Sequence, residues 1–457
     1  MNQNGRIQDS LTIAMDEKLT QLSNNYRHEP FIHCVYDRLR RQNERAYEPE
    51  LLAIGPYNRG KPALQVMEEH KRRYLQLLLQ RREESSVDRY VTAIRALEER
   101  ARGCYAEDIC LHANDSFVEM LILDGCFIVE LCRKSANKSM ADHRDVLFKG
   151  DYLHHWIWRD MLLFENQIPF FVLDELFNMT KSAHEDREKR TMVDLLLSFY
   201  SDTRKYYHYH TKSSGKNHWL QSASRGIDSG KVKHILGLIH LLTTKSFKEK
   251  LSSKQSPAQN CDSSVRWEFI HSTTELREAG IGFRAKHDSS LFDITFSNGM
   301  LEISLITVDD KTECLLRNLI AYEQSLGNND LKIVTDYVTL LYCIIKSPRD
   351  VSLLRRYGII NNMVGDDEAV SNTYSNTSSC VFVSHDRFCY KEVFNEVNAH
   401  CKRRRNIWEA KLRRNYFNSP WTIISFLAAL FLLMLTFLQT MVTVLPYLAH
   451  LHAALVN

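Results

Sequence analysis

The sequence predicts a mainly α protein. It reads as a large helical domain with a small β-hairpin or sheet element, plus one C-terminal transmembrane helix. Three observations predict this. Apolar residues recur at helical spacing through most segments, as at Val87, Tyr90, Val91, Ile94 and Leu97. Strict alternation of apolar and polar residues is strong in one place, LFDITF and MLEISL on either side of Asn298-Gly299. The stretch WTIISFLAALFLLMLTFLQTMVTVL, Trp421 to Leu445, carries no charge. A helix crossing a bilayer core needs about 20 apolar residues.

Composition sets the class. Over 457 residues, 44% hydrophobic and 25% charged is a globular balance, with length enough for one large core. The net charge of +3 is too near balance to imply a nucleic-acid partner. The cysteines number eleven, which is odd, and none forms a CxxC pair. The opening MNQNGRIQDSLTIAMDEKL is polar, unlike a signal peptide, so reduced thiols in a cytosolic body are expected. N-x-S/T sequons at Asn114, Asn137, Asn178 and Asn376 occur at about the chance frequency and do not argue for secretion.

Residues 1–26 read as a mobile polar leader, and 27–400 as a single large domain. Gly55-Pro56 and Arg59-Gly60 punctuate an ordered loop, with a short strand expected at Leu51 to Ile54. A helix follows from Pro62, with Leu64, Met67, Tyr74 and Leu78 on one face. Ser86 opens the next, and Gly103 stops it. The helix near Asp115 to Arg133 has the stripe Phe117, Met120, Leu121, Phe127, Ile128 and Leu131, with Asp124 in its middle. A carboxylate buried alone is too costly, so Asp124 requires a partner. It is either a ligand-binding or catalytic carboxylate or a polar lock between elements, and the lock is expected.

DYLHHWIWRDMLLFENQIPFFVLDELF, Asp151 to Phe177, is apolar on nearly all sides and predicts the most buried helix pair. Pro169 breaks it. Glu165, Asn166 and Gln167 sit at the break, where freed backbone groups need polar partners. Residues 181–260 read as a loop-rich insert with helices near Thr191 to Tyr200 and Lys231 to Thr244. Tyr206-Tyr207-His208-Tyr209-His210 has two histidines and no acidic neighbour, so it reads as a surface loop rather than a metal site.

Ser272-Thr273-Thr274-Glu275 is a capping box, and Gly280 ends its short helix. The Asn-Gly hairpin spans about 291–305, with Phe292, Ile294 and Phe296 on one face. Helices resume at Lys311 to Gln324, which includes Glu323, then Leu331 to Lys346 and Arg349 to Tyr357. Asp366 to Asp386, rich in Asn, Ser and Thr, reads as a variable loop, and Arg387 to Tyr416 as a long helix.

The membrane end has three parts. Residues 401–418 form a basic juxtamembrane helix with Lys402, Arg403, Arg404, Arg405, Lys411, Arg413 and Arg414. Residues 419–446 form the transmembrane helix: Ser419 caps it, Pro420 suits its first position, Trp421 fits the membrane interface, and Pro446 ends it. The tail 447–457 has no Lys or Arg, so the positive-inside rule puts the bulk of the chain in the cytosol. The expected partners are the lipid bilayer and a protein; the expected location is the plasma membrane, crossed once.

Several separate motifs then resemble one family. They are Cys34-Val35-Tyr36 with Arg38-Leu39-Arg40; Ala53-Ile54-Gly55-Pro56-Tyr57; and Met67-Glu68 with Lys71-Arg72-Arg73-Tyr74-Leu75. MLILDGCFIVEL, ENQIPFF, Thr274-Glu275-Leu276, Glu278 to Ile281, Arg317 to Gln324, Tyr416-Phe417, Pro420-Trp421 and Gln439-Thr440 complete the series. Together they resemble the plant domain-of-unknown-function 247 family. The departures are Asp37 after Tyr36, without the Arg-Val-Pro of the family, and the stretch from Val370 to Phe388. The resemblance implies a plant, membrane-associated, mostly helical protein with no common biochemical activity. Some grass members of the family are linked to pollen–stigma self-incompatibility.

No Walker loop, GxGxxG, HExxH, GxSxG or kinase motif set occurs in the sequence. The reading is therefore a non-enzymatic, anchored recognition or signalling protein with no catalytic residue, cofactor or metal. The alternative is an enzyme, a hydrolase using carboxylates such as Asp124, Glu165 or Glu323. Two carboxyl groups about 5–9 Å apart in an open cleft would favour the hydrolase. Asp124 and Glu165 each sealed by an Arg or by backbone N–H groups would favour recognition.

Overall fold

The segment MLILDGCFIVEL has apolar residues on every side, interrupted only by Asp124 and Glu130, so it needs neighbours all round. In the computed structural model it has them. The structure describes residues 9–25, 29–107, 109, 114–137, 140, 145–149, 151–204, 227–254, 267–287, 289–327, 329–379, 381–402 and 420–456. Within the leader lies α1 (Ser10–Asn25), and α2 (Asp37–Arg40) is a single turn. Around α5 (Asn114–Ala136) pack α3 (Gln65–Arg81), α4 (Asp88–Arg102), α7 (Phe170–Thr180) and α9 (Met192–Arg204). Every residue from Met120 to Ser135 is buried. Gly125 lets α7 come close, since a Cβ there would stand 2.3 Å from Leu176 Cδ1. Between them lie α6 (Asp151–Asp160) and the short α8 (Ala183–Arg187).

The second half is a smaller helical group joined to the first by one continuous core. It comprises α10 (Ile235–Lys254), α11 (Thr273–Glu278), α12 (Thr312–Ser325), α13 (Ile333–Ile344), α14 (Pro348–Arg356), α15 (Asp367–Ser378) and α16 (Lys391–Lys402). The capping box at Ser272 and Glu275 is present in both directions. Aromatic stacking fixes the lead-in to α16, where Trp267 and Phe388 lie 4.3 Å apart and nearly parallel.

Two small sheets complete the body. In the first, β2 (Thr295–Ser297) pairs antiparallel with β3 (Met300–Ser304), and Phe296 faces Leu301. The turn has positive φ at both central residues, 51° at Asn298 and 77° at Gly299, which is why Asn-Gly occupies it. The hairpin is shorter than the alternation suggests, and Phe292 and Ile294 are buried before β2 begins. A parallel partner, β1 (Gly282–Lys286), joins β3 on the other side. The second sheet is a parallel pair, β4 (Ile306–Val308) with β5 (Ile360–Asn362).

Three expectations are corrected. Leu51 to Ile54 is not a strand, because side chains rather than a neighbouring strand take its backbone hydrogen bonds. Part of the expected loop 366–386 is α15: Asp366 caps it through the N–H of Glu368 at 3.0 Å. Val370, Tyr374 and Thr377 recur at helical spacing and are buried, and that packing overrides the weak helix propensity of Asn, Ser and Thr. Finally, α17 (Pro420–Val456) does not end at Pro446. A proline removes one N–H and crowds the carbonyl four residues back, which a long helix tolerates as a local defect. Of the expected helix 387–416, Lys391–Lys402 is helical and residues 403–419 lie outside the described residues.

Candidate functional site

A loop buried among helices must satisfy every N–H and C=O it carries. In the segment Glu50–Gly55, side chains from three places take five of the N–H groups and two of the carbonyls. Asp160, at the end of α6, takes the N–H groups of Glu50, Leu51 and Leu52 at 3.2, 2.7 and 2.8 Å. Asn166 takes the N–H of Ile54 at 2.7 Å and donates to the carbonyl of Leu52 at 2.8 Å. Asp124 takes the N–H of Gly55 at 2.8 Å, and Lys71 donates to the carbonyl of Ala53 at 2.6 Å.

Asp124 therefore sits at the crossing of α3, α5 and this loop. Its other oxygen lies 2.6 Å from Lys71 Nζ, and both side chains are 1% exposed. Glu68 stands 2.5 Å from the same ammonium. Burial pushes the Asp124 carboxyl up, while Lys71 and the Gly55 N–H pull it back down.

Glu165 is closed in by the Arg40 guanidinium and by the N–H of Val35 at 2.5 Å. Gln167 donates to the carbonyls of Met161 and Leu163 at 2.8 and 2.7 Å, and accepts the N–H of Leu236 at 3.2 Å. The three polar residues at the Pro169 break thus hold the irregular stretch between α6 and α7, and tie it to the 50–55 loop and the start of α10.

Glu323 belongs to a different cluster. It accepts the N–H groups of Val334 and Thr335 at 2.9 and 2.8 Å, so it closes the N-terminus of α13. His240 of α10 lies 2.7 Å from its Oε1. The structure brings Asp124 and Asn166 onto the 50–55 loop, turns Glu165 to Val35 and Arg40 and Gln167 to Met161, Leu163 and Leu236, and leaves Glu323 in a separate cluster. None of the five has an oxygen standing in an open cleft, since all are buried.

Sequence reasoning missed Asp160 and Lys71, which hold as much of the loop as Asp124 does. A signal existed for the first. Arg159-Asp160 is an ionic pair inside the apolar run HHWIWRDMLLF, and Arg159 spans 2.8 Å to Asp160. For Lys71 the signal was spacing: it lies in the basic run HKRR, yet stands four residues after Met67 and three before Tyr74, on the apolar face.

Toward the C-terminus, Lys402 is exposed and lies 3.0 Å from Glu268. Arg403, Arg404, Arg405, Lys411, Arg413 and Arg414 fall outside the described residues, as does the Tyr206 to His210 run. Trp421 lies in α17, and its side chain is outside the described residues. Ile424–Val442 is long and apolar enough to cross a membrane, and none of it is buried among the described residues. Among the described residues, no group of three or more His, Cys, Asp or Glu is arranged to hold a metal. The described cysteines are all free.

Comparison with known proteins decides the family. The model of the DUF247 family, plant proteins of unknown function, matches residues 32–435. The chain belongs to the DUF247 family. Its curated relatives include UPF0481 protein At3g47200 of Arabidopsis thaliana, 30% identical over 89% of this chain and 84% of the relative. A second, putative UPF0481 protein At3g02645 of the same plant, is 24% identical over 86% of each chain. No solved structure matches the chain. The DUF247 match spans both helical groups and enters α17, so the loop, its clamps and the first part of the apolar helix lie in one family unit.

Proposed function

We propose that this DUF247 protein is a membrane-anchored, non-catalytic recognition or signalling component. The observation that carries the proposal is the sealing of its carboxylates. Asp124, Glu165 and Glu323, the candidates for hydrolase chemistry, each spend their oxygens on a basic side chain or backbone N–H groups. A general acid or nucleophile must reach a substrate, and these reach only the protein's own frame.

The apolar, uncovered span in α17 supports anchoring by a single crossing. The basic flank Lys402 to Arg414 supports a cytosolic body, and the plasma membrane is the membrane proposed. The same flank adds attraction to anionic lipid headgroups of about 1 kcal/mol per residue near the surface. Recognition implies a protein partner, and no nucleic acid is involved. The self-incompatibility role of some grass members would be one form of such recognition.

The test uses full-length protein in native plant membranes. Photo-crosslinkers at exposed body positions such as Tyr36 and Phe382 should give a discrete adduct with one partner protein. If no adduct forms, and the purified full chain turns over ester, glycoside or phosphate substrates, catalysis replaces recognition.

A further inference from the structure

α16, the last helix of the body before the apolar span, is seated through a buried carboxylate. Asp336 lies in the first turn of α13 and is 3% exposed. Its Oδ2 accepts the N–H of Cys389 at 2.8 Å, two residues before α16 begins. The same lead-in is held at three other points. Phe388 stacks on Trp267, Trp267 Nε1 donates to the carbonyl of His385 at 2.9 Å, and the Tyr390 hydroxyl donates to the carbonyl of Phe292 at 2.8 Å. Each of those three joins uncharged groups. Asp336 is the ionisable member of the set.

Its surroundings make that charge costly. α12 brings Glu323, which occupies the N–H groups of Val334 and Thr335 at the same helix end and lies against His240 of α10. Two carboxylates therefore share the N-terminus of α13, and Glu323 holds the N–H groups that would favour an anion there. Lys332 precedes the helix, Cys389 and Tyr390 face Asp336 from the lead-in, and Lys248 of α10 acts on Cys389. No Lys or Arg pairs with Asp336 among the described residues. Burial pushes the Asp336 carboxyl up to about 7; the N–H and thiol of Cys389 oppose the rise, Glu323 adds to it, and Lys332 opposes it.

We infer that Asp336 is a proton-operated latch: protonated, it keeps the lead-in 385–390 seated on α13, and ionised, it favours release of that lead-in, which loosens α16 from the body. The reason is solvation. Opening the lead-in admits water to the carboxyl, and a hydrated charge is far cheaper than a buried one. The open form therefore binds the proton less tightly than the closed form. A fall in pH closes the latch, and closing levels off once both forms are protonated. Acidification from about pH 7 thus tightens the seat of α16. On the anchored reading, that seat sets how freely the body moves against its membrane span; the latch itself stands without that reading.

Hydrogen exchange of the full chain in detergent micelles, followed by mass spectrometry from pH 5 to 8, tests this at peptides covering 385–390. The intrinsic pH dependence of exchange is divided out. Buried amides of α5 open only with the whole fold and serve as the reference. Lead-in amides should exchange faster than these at every pH, and should open about tenfold less often for each unit of pH below 7. Asp336→Asn keeps an acceptor for Cys389 and removes the charge, so its lead-in should open independently of pH. Glu323→Gln removes the like charge, so tightening should set in at a lower pH. Lead-in amides that exchange no faster than those of α5 show that the segment opens only with the fold, and overturn the latch. Opening in the wild type that ignores pH overturns it too, as does a pH dependence that survives Asp336→Asn. Release of the full chain from membranes by a carbonate wash overturns the anchored reading alone and leaves the latch in place.

Discussion

Lys71 Nζ stands 2.6 Å from Asp124 Oδ1 in a part of the core where each side chain is 1% exposed. Two charges taken out of water hold each other there, and each also holds the 50–55 loop. Removing Lys71 strands the carboxylates of Asp124 and Glu68, so Lys71→Ala should cost about 3–5 kcal/mol, whereas Asp124→Ala leaves Lys71 paired with Glu68 and should cost less. The double variant Asp124→Leu with Lys71→Met should cost clearly less than the two singles added. Thermal melting of the full chain in micelles measures all three. A single variant that melts with the wild type would assign Asp124 a role other than the lock.

Gly55 should be as sensitive as the charges around it. Its φ is +71°, and a Cβ would stand 2.4 Å from the carbonyl oxygen of Gln167. Gly60 has φ +83° with nothing within 4 Å. Gly60→Ala should therefore cost strain alone, about 1 kcal/mol. Gly55→Ala adds a backbone clash and should cost about 3 kcal/mol or more. Equal melting temperatures for the two variants would contradict the close approach.

Two buried groups should give stability opposite pH dependences. Burial holds the His234 imidazole down at about 3, against 6.5. Between those values the unfolded chain binds the extra proton, so stability falls as pH drops, by about 1.4 kcal/mol per unit. Burial pushes the Asp336 carboxyl up to about 7, against 3.8, while the N–H of Cys389 at 2.8 Å opposes the shift. There the folded chain binds the extra proton, so stability falls as pH rises, at a similar slope. Asp336→Asn should thus raise stability most above about pH 7. His234→Asn, which keeps an acceptor for the Gly237 N–H, should flatten the acid side. Denaturant unfolding at a series of pH values reads both slopes.

The apolar span in α17 fixes a prediction about location. Deleting Pro420–Val456 should release the protein through a carbonate wash, and an N-terminal tag should resist protease added to intact protoplasts. A truncated chain that stays with membranes points to another anchor. A glycan on Asn114, Asn137, Asn178 or Asn376 reverses the orientation.

What the sequence determined by itself was local. Helical spacing, the Asn298-Gly299 turn, the Ser272–Glu275 capping box and the charge-free run are each decided within a few residues, by dihedral preference, one turn of helix or hydropathy. It also showed that Asp124 and the Pro169 break required partners, because unpaired polar groups in a core are costly. Only the tertiary structure decided which partners. Gly55 and Asp124 are 69 residues apart, and Leu51 and Asp160 are 109 apart. The same holds for the parallel pairing of Ile306 with Ile360, and for α15, whose polar sequence is helical because α13 and α14 bury one face of it. Such pairings depend on which distant segments one core brings together, and no spacing along the chain encodes that.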